Sequence, residues 1–283
     1  MIGVTGATGN LGRLVITSLK EKGATEKIVA IARSPEKGAD LGVEVRRGDY
    51  DEPASLVQAL QGVETLLLIS GSEVGKRTPQ HRNVINAAVE AGVSHLVYTS
   101  LLGAEHSTLS LADEHRETEQ LIKDSGMTYT LLRNGWYTEN YLALVDGALA
   151  GGALLGAAGD GQIASATRAD FAEAASVVLL EDTHKGKVYE LAGDESYTLT
   201  EFAAELSKQV GKEIPYKDMS EAEYISVLVS VGLPEGLAQV IAGGDVGASK
   251  GELFDDSKQL SSLIGRPTTS LSEAMRAALA ESA

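Results

Sequence analysis

Gly3-Val4-Thr5-Gly6-Ala7-Thr8-Gly9-Asn10-Leu11-Gly12 opens the chain, and its reading decides the fold. Three glycines, Gly6, Gly9 and Gly12, stand three residues apart directly after a short apolar run. The apolar set that follows, Leu11, Leu14, Val15, Ile16 and Leu19, keeps close to helical spacing and stops at Gly23. A strand, a glycine turn and a helix therefore fill the first two dozen residues. Glycines let a backbone approach a pyrophosphate closely, and a helix N-terminus offers unpaired N–H groups with a partial positive charge. A glycine-rich turn alone is weak evidence, and its place between strand and helix is the context that gives it meaning. Here it predicts a dinucleotide site.

Downstream, Lys27-Ile28-Val29-Ala30-Ile31-Ala32 reads as the next strand, with Arg33 at its end, about 20 residues past the last glycine. An acidic residue near that place holds the ribose 2′-hydroxyl of NAD, whereas a forked guanidinium fits the 2′-phosphate of NADP. The alternative is a solvated arginine opening the turn Arg33-Ser34-Pro35-Glu36.

Alternation continues. Strands are expected near Val43–Arg47, Val63–Ile69, His95–Thr99 and Thr128–Leu132, and helices over Pro53–Leu60, Pro79–Ala91 and Leu111–Lys123. Several are stopped by glycine, at Gly62, Gly92 and Gly126. Such a pattern predicts an α/β fold, a Rossmann-type doubly wound parallel sheet with ligands at the carboxyl ends of its strands. After about residue 145 the regime changes to a Gly- and Ala-rich stretch, Gly147–Gly161. Two capping boxes then open amphipathic helices, Thr198-Leu199-Thr200-Glu201 and Ser220-Glu221-Ala222-Glu223. We expect a dinucleotide-binding domain over 1–150 and a smaller, mainly helical substrate lid over 151–283. A strand near 187–191 is expected to return to the main sheet.

Composition excludes several chemistries. Among 283 residues there is no cysteine, so disulfides, thiolate metal sites and cysteine nucleophiles are ruled out, and the five histidines lack metal-ligand spacing. A net charge of −16 opposes nucleic-acid binding and makes a cation placed for an anionic cofactor more telling. No apolar run is long enough to insert in a membrane. Met1 leads directly into the first strand, so no signal peptide and a cytoplasmic location are expected.

Gly6-Ala7-Thr8-Gly9-Asn10-Leu11-Gly12, Arg33, Gly48-Asp49-Tyr50, Leu132-Arg133-Asn134-Gly135-Trp136-Tyr137 and Ala166-Thr167-Arg168-Ala169-Asp170 together resemble the NmrA-like group of atypical short-chain dehydrogenases. Within it the chain is most similar to the bacterial type 2 NAD(P)H:quinone oxidoreductases, with triphenylmethane reductases as near relatives. The likeness runs essentially end to end, including Ser249-Lys250-Gly251-Glu252-Leu253-Phe254 and Leu263-Ile264-Gly265.

The resemblance implies NADPH held by Gly6, Ala7, Thr8, Gly9, Asn10 and Leu11, with Arg33 on the 2′-phosphate. It also implies Glu73, Val74 and Gly75 lining the cofactor. Tyr137, Thr138, Glu139, Asn140, Tyr141 and Leu142 would flank the nicotinamide, with Arg168 closing over the cofactor. Each has a plainer reading: Arg168 pairs with Asp170, Trp136 and the tyrosines pack a core, and Asp49 caps the helix at Pro53 instead of meeting the adenine.

The Tyr-x-x-x-Lys pair of typical short-chain dehydrogenases is absent. Taking Glu119 as the anchor, the tyrosine slot falls on Leu111 and the lysine slot on His115. Ser100 keeps the serine slot, and a serine alone is a poor acid. His115 either touches the nicotinamide ribose and relays a proton, or is a solvated histidine beside Glu114 and Glu119. Reducing a ketone builds an alkoxide that needs a positioned acid. Reducing a quinone builds a phenolate-like anion whose conjugate acid has a pKa of about 10, which water can protonate. A cationic dye needs no proton at all.

The chemistry therefore predicts an NADPH-dependent reductase of quinones that uses no flavin, with a small quinone or other conjugated acceptor as its partner. A homodimer is the expected assembly, as soluble α/β reductases often pair. The alternatives are a non-catalytic NADP(H) sensor of the NmrA type and a reductase of triphenylmethane-type dyes.

Overall fold

The computed structural model describes residues 1–281. The first half of the chain alternates as β1 (Ile2–Val4), α1 (Asn10–Glu21), β2 (Ile28–Ala32), β3 (Glu44–Arg47), α2 (Pro53–Ala59), β4 (Thr65–Leu68), α3 (Arg77–Glu90), β5 (His95–Leu101), α4 (Ala112–Asp124) and β6 (Thr128–Asn134). There follow α5 (Thr138–Leu142), α6 (Val145–Gly151), β7 (Leu154–Gly156), α7 (Arg168–Leu180), β8 (Val188–Leu191) and α8 (Leu199–Val210). The last elements are β9 (Tyr216–Asp218), α9 (Glu221–Ser230), α10 (Glu235–Ser249), α11 (Gln259–Ile264) and α12 (Leu271–Glu281). No helix among the described residues is long and apolar enough to cross a membrane.

Two compact units emerge. The first comprises residues 1–105, 112–134 and 168–190. Its seven-stranded sheet has the order β3-β2-β1-β4-β5-β6-β8, with parallel pairing from β3 through to β6. Alternate residues of the central strands, Val29 and Ile31, Leu66 and Leu68, Leu96 and Tyr98, bury one face against Leu56 of α2, Val84 of α3 and Ile122 of α4. Helices α1 and α7 pack together, both presenting buried apolar faces (Leu11, Val15 and Ile16; Phe171, Ala174 and Val178). The chain runs outward in one direction from β1 through β2 to β3, then restarts at β4 on the other side of β1. The switch point, where ligands bind in such sheets, therefore lies beyond the carboxyl ends of β1 and β4. This is the Rossmann-type doubly wound sheet that the alternation predicts.

The second unit comprises residues 106–111, 135–167 and 191–283, of which 281 is the last described. It is mainly helical, with β7 and β9 forming a short parallel pair. Both expected capping boxes are present: Thr198 and Ser220 each accept from the backbone N–H of the residue three further on, Glu201 and Glu223, whose side chains reach back. Ser270 and Glu273 make the same reciprocal pair at the start of α12. The Ser-x-x-Glu signal for this third box stands in the sequence, in Ser270-Leu271-Ser272-Glu273. Ala157, Tyr224, Leu228, Ala238 and Ala242 form a core between α9 and α10.

Candidate cofactor site

The glycine turn is built for close approach. Gly6 takes a left-handed backbone (φ 59°), which a side chain disfavours, and its carbonyl accepts from the Gly9 N–H at 2.9 Å. At Gly12 a Cβ would lie 2.3 Å from the Gly6 carbonyl oxygen and 2.8 Å from Ala7 Cα, so only glycine lets α1 start against the turn. Gly9 caps α1 in extended conformation without a side-chain hydrogen bond, and the first turn carries no acidic residue. The orphan N–H groups of α1 are thus free of any competing side-chain cap, and the helix dipole there favours an anion. A pyrophosphate fits this cradle.

Polar contacts fix the turn. Thr5 Oγ1 donates to the Leu67 carbonyl at 3.1 Å and accepts from the Ile69 N–H at 3.1 Å. The Tyr50 hydroxyl lies 2.6 Å from Thr5 Oγ1 and 2.8 Å from the Ile69 carbonyl. The ends of β1 and β4, the two sides of the switch point, are tied together through one threonine and one tyrosine. Nothing in the spacing of the sequence marks Tyr50 for this role. Asp49 accepts from the Asp51 N–H at 3.0 Å, and α2 has no side-chain cap, so the expected capping of that helix by Asp49 does not occur.

Arg33 follows β2 and is 70% exposed. Its guanidinium stands 3.8 Å from Glu73, which Lys76 also approaches at 3.0 Å. Glu73, Val74 and Gly75 lie in the segment after β4, at the same edge of the sheet as the glycine turn. Three residues that the sequence did not single out hold that segment. Gly71 donates its N–H to His81 Nε2 at 2.9 Å, Arg77 Nε donates to the Gly71 carbonyl at 2.9 Å, and Glu114 accepts from the N–H groups of Gly75 and Arg77, both at 3.1 Å. Because His81 Nε2 accepts, its Nδ1 carries the proton and donates to Thr118 Oγ1 at 2.9 Å. Burial, with the charge of Arg77 adding to it, lowers the His81 pKa to about 3, which keeps the ring neutral.

His115 is buried, not solvated as one of its two expectations had it. Its Nδ1 lies 2.7 Å from the Tyr98 hydroxyl. Burial first, then Arg77 and His81, push its pKa well below the usual imidazole range. Ser100, at the carboxyl end of β5, donates to Glu119 Oε1 at 2.6 Å. Arg133 clamps the same carboxylate through Nε (2.9 Å) and Nη2 (2.8 Å) and reaches Glu190 at 2.8 Å. The predicted acid slots therefore hold no group poised to give up a proton.

Other site residues fall elsewhere in the chain. Arg168 is the first residue of α7 in the first unit. Tyr137 through Leu142 belong to the second unit. There Tyr137 caps α5, and the Thr138 N–H donates to the Ala166 carbonyl at 2.9 Å. Tyr141 is buried against the rings of Tyr197 and Phe202.

A sheet of this order, with a phosphate-ready glycine turn at its switch point, defines a dinucleotide-binding protein of the Rossmann type. The chain belongs to the NAD(P)H-binding family, whose profile matches residues 6–182. It is 61% identical over 278 residues to quinone oxidoreductase 2 of Escherichia coli (strain K12), covering 97% of each chain. The crystal structure of the Escherichia coli NADPH-dependent quinone oxidoreductase complexed with NADPH superposes with a TM-score of 0.97 at 60% identity, over 99% of this chain and 100% of that one. Triphenylmethane reductase of Citrobacter sp., complexed with NADP(H), superposes with a TM-score of 0.94 at 41% identity, over 98% and 100%.

Proposed function

We propose that this protein is an NADPH-dependent quinone reductase. The observation that carries it is the end-to-end likeness, 61% identity over 97% of the chain with the same fold, to the Escherichia coli quinone oxidoreductase 2. The residues fit the cofactor. Gly6 through Leu11 and the N-terminus of α1 would hold the pyrophosphate, and Arg33 would take the 2′-phosphate. Glu73, Val74 and Gly75 would line the same edge. The family resemblance extends the set to Tyr137–Leu142 and Arg168.

The chemistry that bound NADPH supplies is a hydride, two electrons carried on one hydrogen. Reducing a quinone to a hydroquinone takes that hydride and one proton. Neither Ser100, whose proton is committed to Glu119, nor His115, held neutral and tied to Tyr98, is arranged to deliver the proton. Water protonates a phenolate-like product readily, since its conjugate acid has a pKa of about 10. The protein's own contribution is then to bind and orient, converting an encounter between two molecules into a reaction within one complex.

The test is oxidation of NADPH and of NADH, each with and without a simple benzoquinone, for the wild type and Arg33→Ala, after subtracting the nonenzymatic rate. Saturable quinone-dependent turnover that favours NADPH, with the preference lost in the variant, supports a quinone reductase with Arg33 on the phosphate. Tight NADPH binding without turnover on quinones or cationic dyes would instead make the protein a sensor.

A further inference from the structure

Arg33, Glu73 and Lys76 form a chain of alternating charge beside the glycine turn. Glu73 Oε1 lies 3.8 Å from Arg33 Nη1, and Glu73 Oε2 lies 3.0 Å from Lys76 Nζ. The two contacts use different oxygens of one carboxylate, so Glu73 bridges the cations. They are unequal: the Lys76 contact is a hydrogen bond, and the Arg33 contact is a looser ion pair. Arg33 and Lys76 are both largely exposed, so neither is committed to a packed core. Arg33 has no other ion pair among the described residues.

We propose that Glu73 is a resident counter-ion of the 2′-phosphate site. It neutralises Arg33 when no phosphate is present, and Lys76 holds it aside when the phosphate arrives, so that the triple Arg33–Glu73–Lys76 sets the preference for NADPH over NADH. The inference rests on the assignment of Arg33 to the 2′-phosphate made above. Physically, a phosphate dianion and a carboxylate compete for one guanidinium, and like charges repel. A neutral residue at 73 removes both penalties. Losing Lys76 does the reverse, because the carboxylate is left with Arg33 as its only cation. The molecule's net charge of −16 makes each local negative charge near this site count against an anionic ligand.

The alternative role for an acidic residue at this edge is to accept a hydrogen bond from the ribose 2′-hydroxyl of NADH. The two roles have opposite signs. A counter-ion weakens NADPH binding, and its removal raises the ratio of NADPH to NADH affinity. A hydroxyl acceptor strengthens NADH binding, and its removal weakens NADH alone.

The experiment is calorimetric titration of NADPH and NADH into the wild type, Glu73→Gln, Lys76→Gln, Arg33→Ala and the doubles Arg33→Ala/Glu73→Gln and Lys76→Gln/Glu73→Gln. Glu73→Gln should tighten NADPH about two- to fivefold, the span of an exposed ion pair, with NADH nearly unchanged. That gain should vanish in the Arg33→Ala background. Lys76→Gln should weaken NADPH in the wild type and have no effect once Glu73 is glutamine. If Arg33→Ala leaves the NADPH to NADH ratio unchanged, the phosphate assignment fails and the counter-ion role falls with it. If Arg33→Ala abolishes the ratio but Glu73→Gln leaves NADPH unchanged or weakens NADH, the phosphate assignment stands and the counter-ion role is overturned. A loss of NADPH affinity from Lys76→Gln that persists in the Glu73→Gln background would place Lys76 on the phosphate itself and overturn its holding role.

Discussion

The Ser100 hydroxyl donates a hydrogen bond to Glu119 at 2.6 Å, inside a buried carboxylate–guanidinium pair with Arg133. Ser100 holds the slot of the serine in typical short-chain dehydrogenases, where a donor is useful only if its proton is free. Here the proton faces a carboxylate that is 3% exposed. Ser100→Ala should therefore leave quinone turnover within about threefold of wild type, whereas loss of a working general acid costs 10²- to 10⁴-fold. The same change should lower stability by about 1–3 kcal/mol, the scale of a hydrogen bond to a charged group. Steady-state kinetics and denaturant unfolding of one variant separate the two effects.

Gly12 tests the cradle. A methyl group there would lie 2.3 Å from the Gly6 carbonyl oxygen, and backbone has to move to admit it. Gly12→Ala should weaken NADPH binding at least tenfold, read by titration, with circular dichroism confirming that the variant is folded. Unchanged affinity in the folded variant would show that the turn does not touch the cofactor.

Three buried histidines set an acid limit on stability. Burial depresses His81 to about 3 and His95 to about 4, and holds His115 well below its ordinary value. Each pKa is lower in the folded chain than in the unfolded one, near 6.5, so the unfolded state binds more protons in between. Stability is complete above pH of about 6.5 and is lost as pH falls below it, by up to about 4 kcal/mol per pH unit with all three acting. Urea unfolding across that range should show the slope, and His81→Gln should reduce it by about a third.

Asp245 acts in the opposite sense. It is 4% exposed on α10, accepts from the Ala157 N–H at 2.9 Å, and is raised to about 6, chiefly by burial and secondarily by the charge of Asp218. Tyr141, Tyr216 and Tyr224 also face this neighbourhood. A carboxyl that is harder to ionise when folded binds its proton more tightly in the native state, so stability falls as pH rises from about 4 to about 6 and then levels off. The difference in unfolding free energy between wild type and Asp245→Asn should carry that pH dependence, and a flat difference would refute it.

Much of the first unit was legible because its signals are local. Glycine spacing fixes the turn after β1, apolar alternation fixes the strands, and glycine stops mark the helix ends. The observed α2 and α3 start or end within two residues of their expected bounds. Ser-x-x-Glu and Thr-x-x-Glu patterns announced α8 and α9. What escaped are relations between segments far apart in sequence. Tyr50 reaching Thr5, Glu114 holding Gly75 and Arg77, and the burial of His115 depend on which helix lies beside which strand. A polar residue on a helix next to two glutamates reads as solvated, because one-dimensional periodicity does not say that Tyr98 waits opposite it.

Direct hydride delivery to a quinone is the central claim, and a primary isotope effect tests it most directly. Purified protein, shown free of flavin by its absorbance, is mixed with excess benzoquinone and NADPH carrying deuterium or protium at the transferred position, and single-turnover oxidation is followed. Direct transfer predicts slower oxidation of the deuterated cofactor, strict dependence on quinone, and hydroquinone formed in equal amount to the NADPH consumed. Oxidation without quinone dependence, or a product that is mainly the one-electron-reduced quinone radical, would contradict it.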